Sequence, residues 1–172
     1  GVDKEKARYW RVKAAESNPK AMVSLALKYC VGKRTDEALA LCIKAGDMSC
    51  GQTKVEADRL TAQIYGDMSF TWYDPEKQKA YLLKALNVKP VPTDNGFDDE
   101  YARAASLLRA WFQLKNTNSP SESNVENAAY CAVIAAVLDR DYADRLSEFA
   151  IRQSQFDAWA VDARNYNFHL PC

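Results

Sequence analysis

Few side chains in this sequence combine the types and the spacing that catalysis needs. The 172 residues contain one histidine, His169, and no Gly-x-Ser-x-Gly turn that would present a nucleophilic serine to it. There are five cysteines but no Cys-x-x-Cys pair, so a zinc site is not expected. A glycine-rich loop that could hold a phosphate group is also missing from the sequence.

Two further groups could in principle carry chemistry, but each has a simpler interpretation. Asp98, Asp99 and Glu100 could act as paired carboxylates, yet they begin a predicted helix, where the helix dipole stabilises negative charge. Cys131 lies among alanine, valine and isoleucine, which is typical of an inert buried thiol. The sequence therefore predicts no catalytic residue, no metal and no cofactor, and a protein that is not an enzyme.

A cluster of aromatic residues is the strongest candidate for binding. Phe70, Trp72 and Tyr73 fall within the segment SFTWYD, which should connect two helices. Exposed aromatic side chains supply large contact areas at low entropic cost and are common in protein-binding hot spots. The alternative is that the rings fold back and cover the space between neighbouring helices, and the sequence leaves both interpretations open.

The elements that must position these residues are predicted to be helices. Apolar residues recur with a helical period, and no segment alternates convincingly as a strand would. We expect residues 1–115 to form helical repeats and residues 116–172 to form C-terminal capping helices in the same domain. The predicted helices span, in order, 3–15, 19–31, 36–45, 54–65, 75–86, 97 or 98 to 114, 123 or 124 to 138, 142–154 and 156–165.

Composition narrows the classes of function. The chain is 48% hydrophobic and 27% charged, and its 23 basic residues balance 23 acidic ones. A balanced surface gives no general attraction to nucleic acid or to an anionic membrane. No stretch approaches the roughly 20 apolar residues that span a bilayer. The chain starts at Gly1, so we allow for a removed signal peptide, lipid anchor or further repeat.

Two series of residues recur along the first half of the chain. The dipeptide Lys-Ala ends three predicted helices, at 13–14, 44–45 and 84–85, and the third residue before each lysine is Trp10, Leu41 or Tyr81. A second series repeats one pattern in the intervening helices, with Ala21, Ala26 and Tyr29 matched by Ala57, Ala62 and Tyr65. Such periods are typical of helix-hairpin solenoids.

These residues resemble the Sel1-like branch of the tetratricopeptide-like repeats. One helix form of that family is matched by Ala21, Leu25, Ala26, Tyr29 and Gly32. The other form is matched by Asp3, Lys6, Ala7, Trp10, Lys13, Ala14 and Ala15, and with a small shift by Asp74, Lys79, Ala80, Tyr81, Lys84 and Ala85. The resemblance covers residues 3 to about 87, and it departs from the family pattern at Met68, where a glycine is usual. It implies an α/α superhelix of about three helix hairpins, closed by the C-terminal helices.

The resemblance also bears on the cysteines. Some Sel1-like proteins join the helices of a hairpin through cysteines spaced as Cys42 and Cys50 are, which implies a disulfide between those two residues. We expect a second bond between Cys131 and the terminal Cys172, with Cys30 left free, although connectivity does not follow from sequence. Disulfides favour a periplasmic or secreted location, and five reduced thiols in a cytoplasmic protein are the alternative.

The resemblance implies a non-catalytic protein that binds another protein in the bacterial cell envelope. Because some bacterial Sel1-like proteins neutralise secreted effectors, the most specific hypothesis is an immunity protein, and the alternative is a scaffold lipoprotein of a secretion or polysaccharide machine. We expect the apolar side of the first helix, with Ala7, Trp10 and Ala14, to serve mainly for packing. Trp10 is therefore a weaker candidate for contact with a partner. The candidate partner-binding residues are Phe70, Trp72, Tyr73, Tyr81 and Trp10.

Overall fold

The computed structural model describes residues 1–172, and all of its regular elements are helices. Eight α-helices and one 3₁₀ helix confirm the predicted all-α class. No helix is long and apolar enough to cross a membrane. The elements are α1 (Val2–Ala15), α2 (Pro19–Val31), α3 (Thr35–Met48), α4 (Gly51–Tyr65), α5 (Pro75–Leu86), α6 (Phe97–Asn118), α7 (Glu122–Leu138), the 3₁₀ helix (Arg140–Glu148) and α8 (Gln153–Arg164).

Side-chain caps fix where several helices begin. The side chains of Asn18, Asp74 and Ser121 accept hydrogen bonds of 3.0 to 3.2 Å from backbone N–H groups in the first turns of α2, α5 and α7. The caps at Asn18 and Asp74 confirm the predicted starts, whereas α7 begins slightly earlier than predicted. Helix α3 begins one residue earlier than predicted, because Thr35 is already helical, and Arg34 precedes it without a capping bond.

Helices that follow each other in the chain pack side by side. The pairs α2 with α3, α4 with α5 and α6 with α7 share extensive interfaces, and α4 also contacts both α2 and α6. One core lies between α1, α2, α3 and α4. A larger core contains residues of α4, α5, α6, α7, α8 and the C-terminal tail. Helix α4 links the two cores, because Leu60 belongs to the first and Val55 to the second.

The prediction of a helix at 142–154 is wrong. A 3₁₀ helix occupies Arg140–Glu148, and residues 149–152 have no helical conformation. Asp139 accepts a hydrogen bond from the N–H of Asp141, and Ser147 donates one to the carbonyl of Asp144. Such local side-chain bonds compete with an α-helix, and no residue of this charged segment is buried enough to stabilise one through packing.

The expectation that the first helix uses its apolar side for packing is also wrong. In α1 only Ala15 is buried, while Ala7 and Ala14 are exposed and Trp10 is 61% exposed. The helix contacts α2 through one side alone, and no other element covers the opposite side. The periodic pattern predicted the helix but not what packs against it.

All five cysteines are free thiols in the structure, and neither expected disulfide is formed. Cys131 is buried as predicted, and so is Cys42, whose thiol pKa burial raises to about 12. Cys50 and Cys172 are exposed, and the Cys172 thiol donates a hydrogen bond to Glu126 Oε2 at 3.0 Å. The two pairings stay predictions about the oxidised protein.

Gly46 of α3 lies directly against Asp58 of α4. The carboxylate of Asp58 is buried beside this glycine, and its Oδ2 lies 3.3 Å from Lys54 Nζ. The same ammonium donates a hydrogen bond of 2.8 Å to the Gly46 carbonyl, while burial raises the pKa of Asp58. A β-carbon at position 46 would overlap Asp58 Oδ1, so any other residue there would force this carboxylate to move.

We expect Gly46→Ala to lower the free energy of unfolding by about 1 kcal/mol, measured by urea denaturation. Alanine is the better helix former by roughly 1 kcal/mol, but overpacking a buried site costs about 1–3 kcal/mol and displaces a short carboxylate that has no free space. Gly32→Ala is the control, because a β-carbon there meets only backbone atoms at ordinary contact distance. A Gly46→Ala protein as stable as wild type would contradict the close approach.

Candidate functional site

The segment between α4 and α5, residues 66–74, holds the aromatic cluster in a defined conformation. We call it the aromatic connection. Asp67 Oδ1 accepts hydrogen bonds from the N–H and the hydroxyl of Ser69, at 2.9 and 2.7 Å. These bonds hold the pKa of Asp67 below its usual value. The bond from the Asp74 N–H to the Tyr65 carbonyl, 2.9 Å, closes the segment against the end of α4.

The rings of the aromatic connection divide between core and surface. Phe70 packs against the first core, so it covers the space beside α2 and α3. Trp72 is 63% exposed and Tyr73 is 40% exposed. The two interpretations of the segment therefore apply to different residues, since one ring is structural and two are available to a partner.

Tyr81 is mainly a packing residue. Its ring stacks on that of Tyr65, with the centroids 5.8 Å apart, and packs against the larger core. The ammonium group of Lys84 lies 5.4 Å from the Tyr81 ring and 3.5 Å from Asp47 Oδ1. Burial raises the pKa of the Tyr81 hydroxyl. This residue positions α5 against α4, and only part of its ring reaches the surface.

Trp10 belongs to a different element from the aromatic connection. It belongs to α1, which packs on α2, and its ring meets that of Tyr9 edge to face at 5.3 Å. The structure therefore brings the partner-binding candidates together only in part. Phe70, Trp72 and Tyr73 share one segment, while Trp10 belongs to α1 and Tyr81 to α5.

A cleft of about 440 Å³ separates the aromatic connection from the α2–α3 turn. Ser69, Phe70 and Thr71 form one side, and Lys33 and Asp36 contribute to the other. Neither Trp72 nor Tyr73 lines this cleft.

The largest groove was not foreseen from sequence. It has a volume of about 670 Å³ and lies between the first half of α7, α8 and residues 149–152. Phe149 and Ile151 are half-buried while Ala150 and Arg152 are exposed, which is the alternation of an extended strand. The N–H groups of Ala150 and Ile151 make no hydrogen bond within the chain. This two-residue period within a charged region was the signal that could have revealed the extended segment.

The acidic cluster has structural partners rather than a shared site. Asp98 accepts a hydrogen bond of 2.6 Å from the Tyr166 hydroxyl, and Glu100 pairs with Arg59 of α4. Both carboxylates lie in the first turn of α6, as predicted. No group of three or more histidine, cysteine or acidic side chains is arranged to hold a metal ion.

Trp72 and Tyr73 are therefore the most exposed aromatic residues in a connection between two helices, and hydrogen bonds hold that connection in place. Comparisons of the chain with protein-family models, with curated proteins and with solved structures find no match.

Proposed function

We propose that this chain is a non-catalytic protein of the bacterial cell envelope that binds another protein through the aromatic connection. The observation that carries the proposal is the exposure of Trp72 and Tyr73 on a segment fixed at both ends by hydrogen bonds. A partner that covers these rings gains apolar contact area, and the loop has little conformational freedom left to lose.

The proposed scaffold is an α/α superhelix of Sel1-like hairpins. Its support is the order of the contacts, in which α2, α4 and α6 each pack on the next helix of the chain and on each other in sequence. In such an array the connections within hairpins lie along one edge, and the cleft between the α2–α3 turn and the aromatic connection agrees with that placement.

An immunity protein that neutralises a secreted antibacterial effector is the most specific form of the proposal. The resemblance to Sel1-like proteins supports it, and the alternative is a scaffold lipoprotein of a secretion or polysaccharide machine. The proposed location is periplasmic or secreted, with the cytoplasm as the alternative. Mass spectrometry of the unreduced protein from its native compartment separates the two, because five free thiols there would contradict an oxidising location.

We expect the double variant Trp72→Ala/Tyr73→Ala to bind the partner at least about tenfold more weakly, because truncating hot-spot aromatics costs more than about 1 kcal/mol each. The partner is isolated by affinity purification from the native host, and the dissociation constant is measured by calorimetry. The control is Leu114→Ala, which removes an equally exposed apolar side chain from α6.

The same experiment separates the alternatives. If the purification yields one toxic partner whose activity the wild-type protein abolishes, the immunity function is supported. If it yields several components of one secretion or polysaccharide machine, the scaffold function is supported instead. Equal affinity for the double variant and the wild type would place the binding surface elsewhere.

A further inference from the structure

Asn95 is the one asparagine in the sequence that a glycine follows. The pair lies in the bend that leads from the α5–α6 connection into α6, and Asn95 is exposed there. Its side chain makes no hydrogen bond within the chain, so its amide carbon can approach the next backbone nitrogen. Glycine has no β-carbon to hinder that approach. Asparagine is a thermally labile residue, and this position meets the chemical requirements for deamidation.

Deamidation at this position is an intramolecular substitution that needs only water and hydroxide. The Gly96 backbone nitrogen gives up its proton to hydroxide and attacks Asn95 Cγ, so a nitrogen–carbon bond forms while the bond from Cγ to Nδ2 breaks. Nδ2 takes up a proton and leaves as ammonia, and a five-membered imide remains. Water then adds to one of the two imide carbonyl carbons and opens the ring. The product is aspartate or isoaspartate, and either one adds a negative charge.

One side chain of α4 holds the attacking nitrogen. Gln52 Oε1 accepts a hydrogen bond of 3.0 Å from the Gly96 N–H. The same side chain lies against the glycine, because a β-carbon at position 96 would come within 2.8 Å of Gln52 Nε2. While this bond is made, the N–H points at Gln52 and is covered from hydroxide. The bond therefore opposes the first step of the reaction.

The backbone around the bend is anchored by further hydrogen bonds. Asp94 Oδ2 accepts bonds from the N–H groups of Gln52 and Val91, at 3.1 and 2.8 Å. The Gly96 carbonyl accepts a bond of 3.2 Å from the Glu100 N–H, in the first turn of α6. Rotation of the Gln52 side chain leaves all three of these bonds in place. The Gln52 side chain is therefore the movable part of this site.

Asn118, which precedes Ser119 at the end of α6, is protected in a different way. The Ser119 N–H donates a hydrogen bond of 2.8 Å to the Lys115 carbonyl, which is a backbone acceptor. That bond breaks only when the last turn of the helix unwinds. The bond between Gly96 and Gln52 breaks by a change of side-chain rotamer alone, so the reaction at position 95 needs no unwinding of a helix.

We propose that Asn95 is a deamidation site and that the Gln52 side chain controls its rate. The reaction places a new carboxylate between Asp94 and the acidic first turn of α6. An aspartate there is compatible with the helix, because a helix N-terminus stabilises negative charge. The isoaspartate product instead lengthens the main chain by one carbon. That extra carbon displaces the Gly96 N–H from Gln52 and disturbs the start of α6.

Incubation of the full chain at mildly alkaline pH tests the proposal. Peptide mapping by mass spectrometry gives the rate at each asparagine, and an isoaspartate methyltransferase assay identifies the product. We expect Asn95 to react first among the asparagines of the chain. Gln52→Leu should raise the rate at this position about fivefold, because the variant loses one hydrogen bond of ordinary net strength.

Three controls make the test specific. Gln52→Glu keeps an oxygen acceptor for the Gly96 N–H, so its rate should stay close to that of the wild type. Asn118 in the same samples should react at one rate in every variant. Asn95→Asp carries the added charge without the extra carbon, so it should unfold at the wild-type temperature, whereas the purified isoaspartate product should unfold at a lower one. Circular dichroism verifies that each variant keeps its helices.

Three results would overturn the proposal. Equal rates at Asn95 in Gln52→Leu and in the wild type would show that Gln52 does not control the reaction. Equal acceleration in Gln52→Leu and Gln52→Glu would assign the effect to lost packing and not to the lost acceptor. Finally, a synthetic peptide of residues 91–100 may be incubated beside the full chain. Reaction of the peptide alone, with none in the chain or in Gln52→Leu, would show that the backbone anchors prevent deamidation by themselves.

Discussion

We expect Tyr101→Ala to lower the free energy of unfolding by about 4 kcal/mol, the largest effect of a single substitution proposed for this chain. The Tyr101 side chain is 1% exposed at the centre of the larger core. Its ring stacks on Phe97 at 5.6 Å and meets Tyr166 edge to face at 5.7 Å. The hydroxyl donates a hydrogen bond of 2.7 Å to the Leu86 carbonyl, in the last turn of α5. The substitution thus loosens α5, α6 and the C-terminal tail together.

Tyr101→Phe separates the ring from its hydroxyl. Phenylalanine keeps both ring contacts but leaves the Leu86 carbonyl without this donor, so we expect a loss of about 1 kcal/mol. Urea denaturation followed by circular dichroism measures both variants. An alanine variant within about 1 kcal/mol of wild type would show that the core collapses around the missing ring, and would contradict the central position of Tyr101.

The parts of the fold that sequence predicted depend on local signals. Asn18 before Pro19 and Asp74 before Pro75 mark helix starts, because a capping side chain and a proline act within one turn. The aromatic connection was also foreseeable, since Gly66 and Asp74 bound a segment without helical period. The sequence did not predict which of these rings are buried. Only the packing of the helices places Phe70 against the first core and leaves Trp72 exposed.

The parts that sequence missed depend on the neighbours of an element. Ala7, Trp10 and Ala14 of α1 have the same spacing as Ala38, Leu41 and Ala45 of α3, yet only the residues of α3 pack against a core. The pattern of a helix predicts which side is apolar, but it does not predict which element packs against that side. Residues 149–152 are extended and follow a 3₁₀ helix in which local side-chain hydrogen bonds compete with an α-helical ladder. The large groove is lined in part by this extended segment. In the sequence, the two-residue period of residues 149–152 is the one sign of it.

Glu100→Ala is expected to lower the free energy of unfolding by about 3 kcal/mol, the second of the large effects. Glu100 Oε2 accepts a hydrogen bond of 3.0 Å from Arg59 Nε, and this contact joins α6 to α4. The two side chains are only 15% and 8% exposed. Without the carboxylate, the guanidinium keeps the amide oxygen of Gln63 as its one hydrogen-bond acceptor. The cost is mainly that of a buried guanidinium that loses its salt-bridge partner and keeps only the more distant attraction of Glu56.

Two further variants test that cause. Arg103→Ala removes a cation 4.0 Å from the other oxygen of Glu100, but this side chain is 52% exposed, so we expect a loss below about 0.5 kcal/mol. The double variant Arg59→Met/Glu100→Leu removes both buried charges and should recover most of the stability, to within about 1 kcal/mol of wild type. If the double variant is instead as unstable as Glu100→Ala, the loss comes from the packing of α4 on α6. Recovery would mean that the ion pair contributes little net stability, and that its removal is costly only when one charge is left behind.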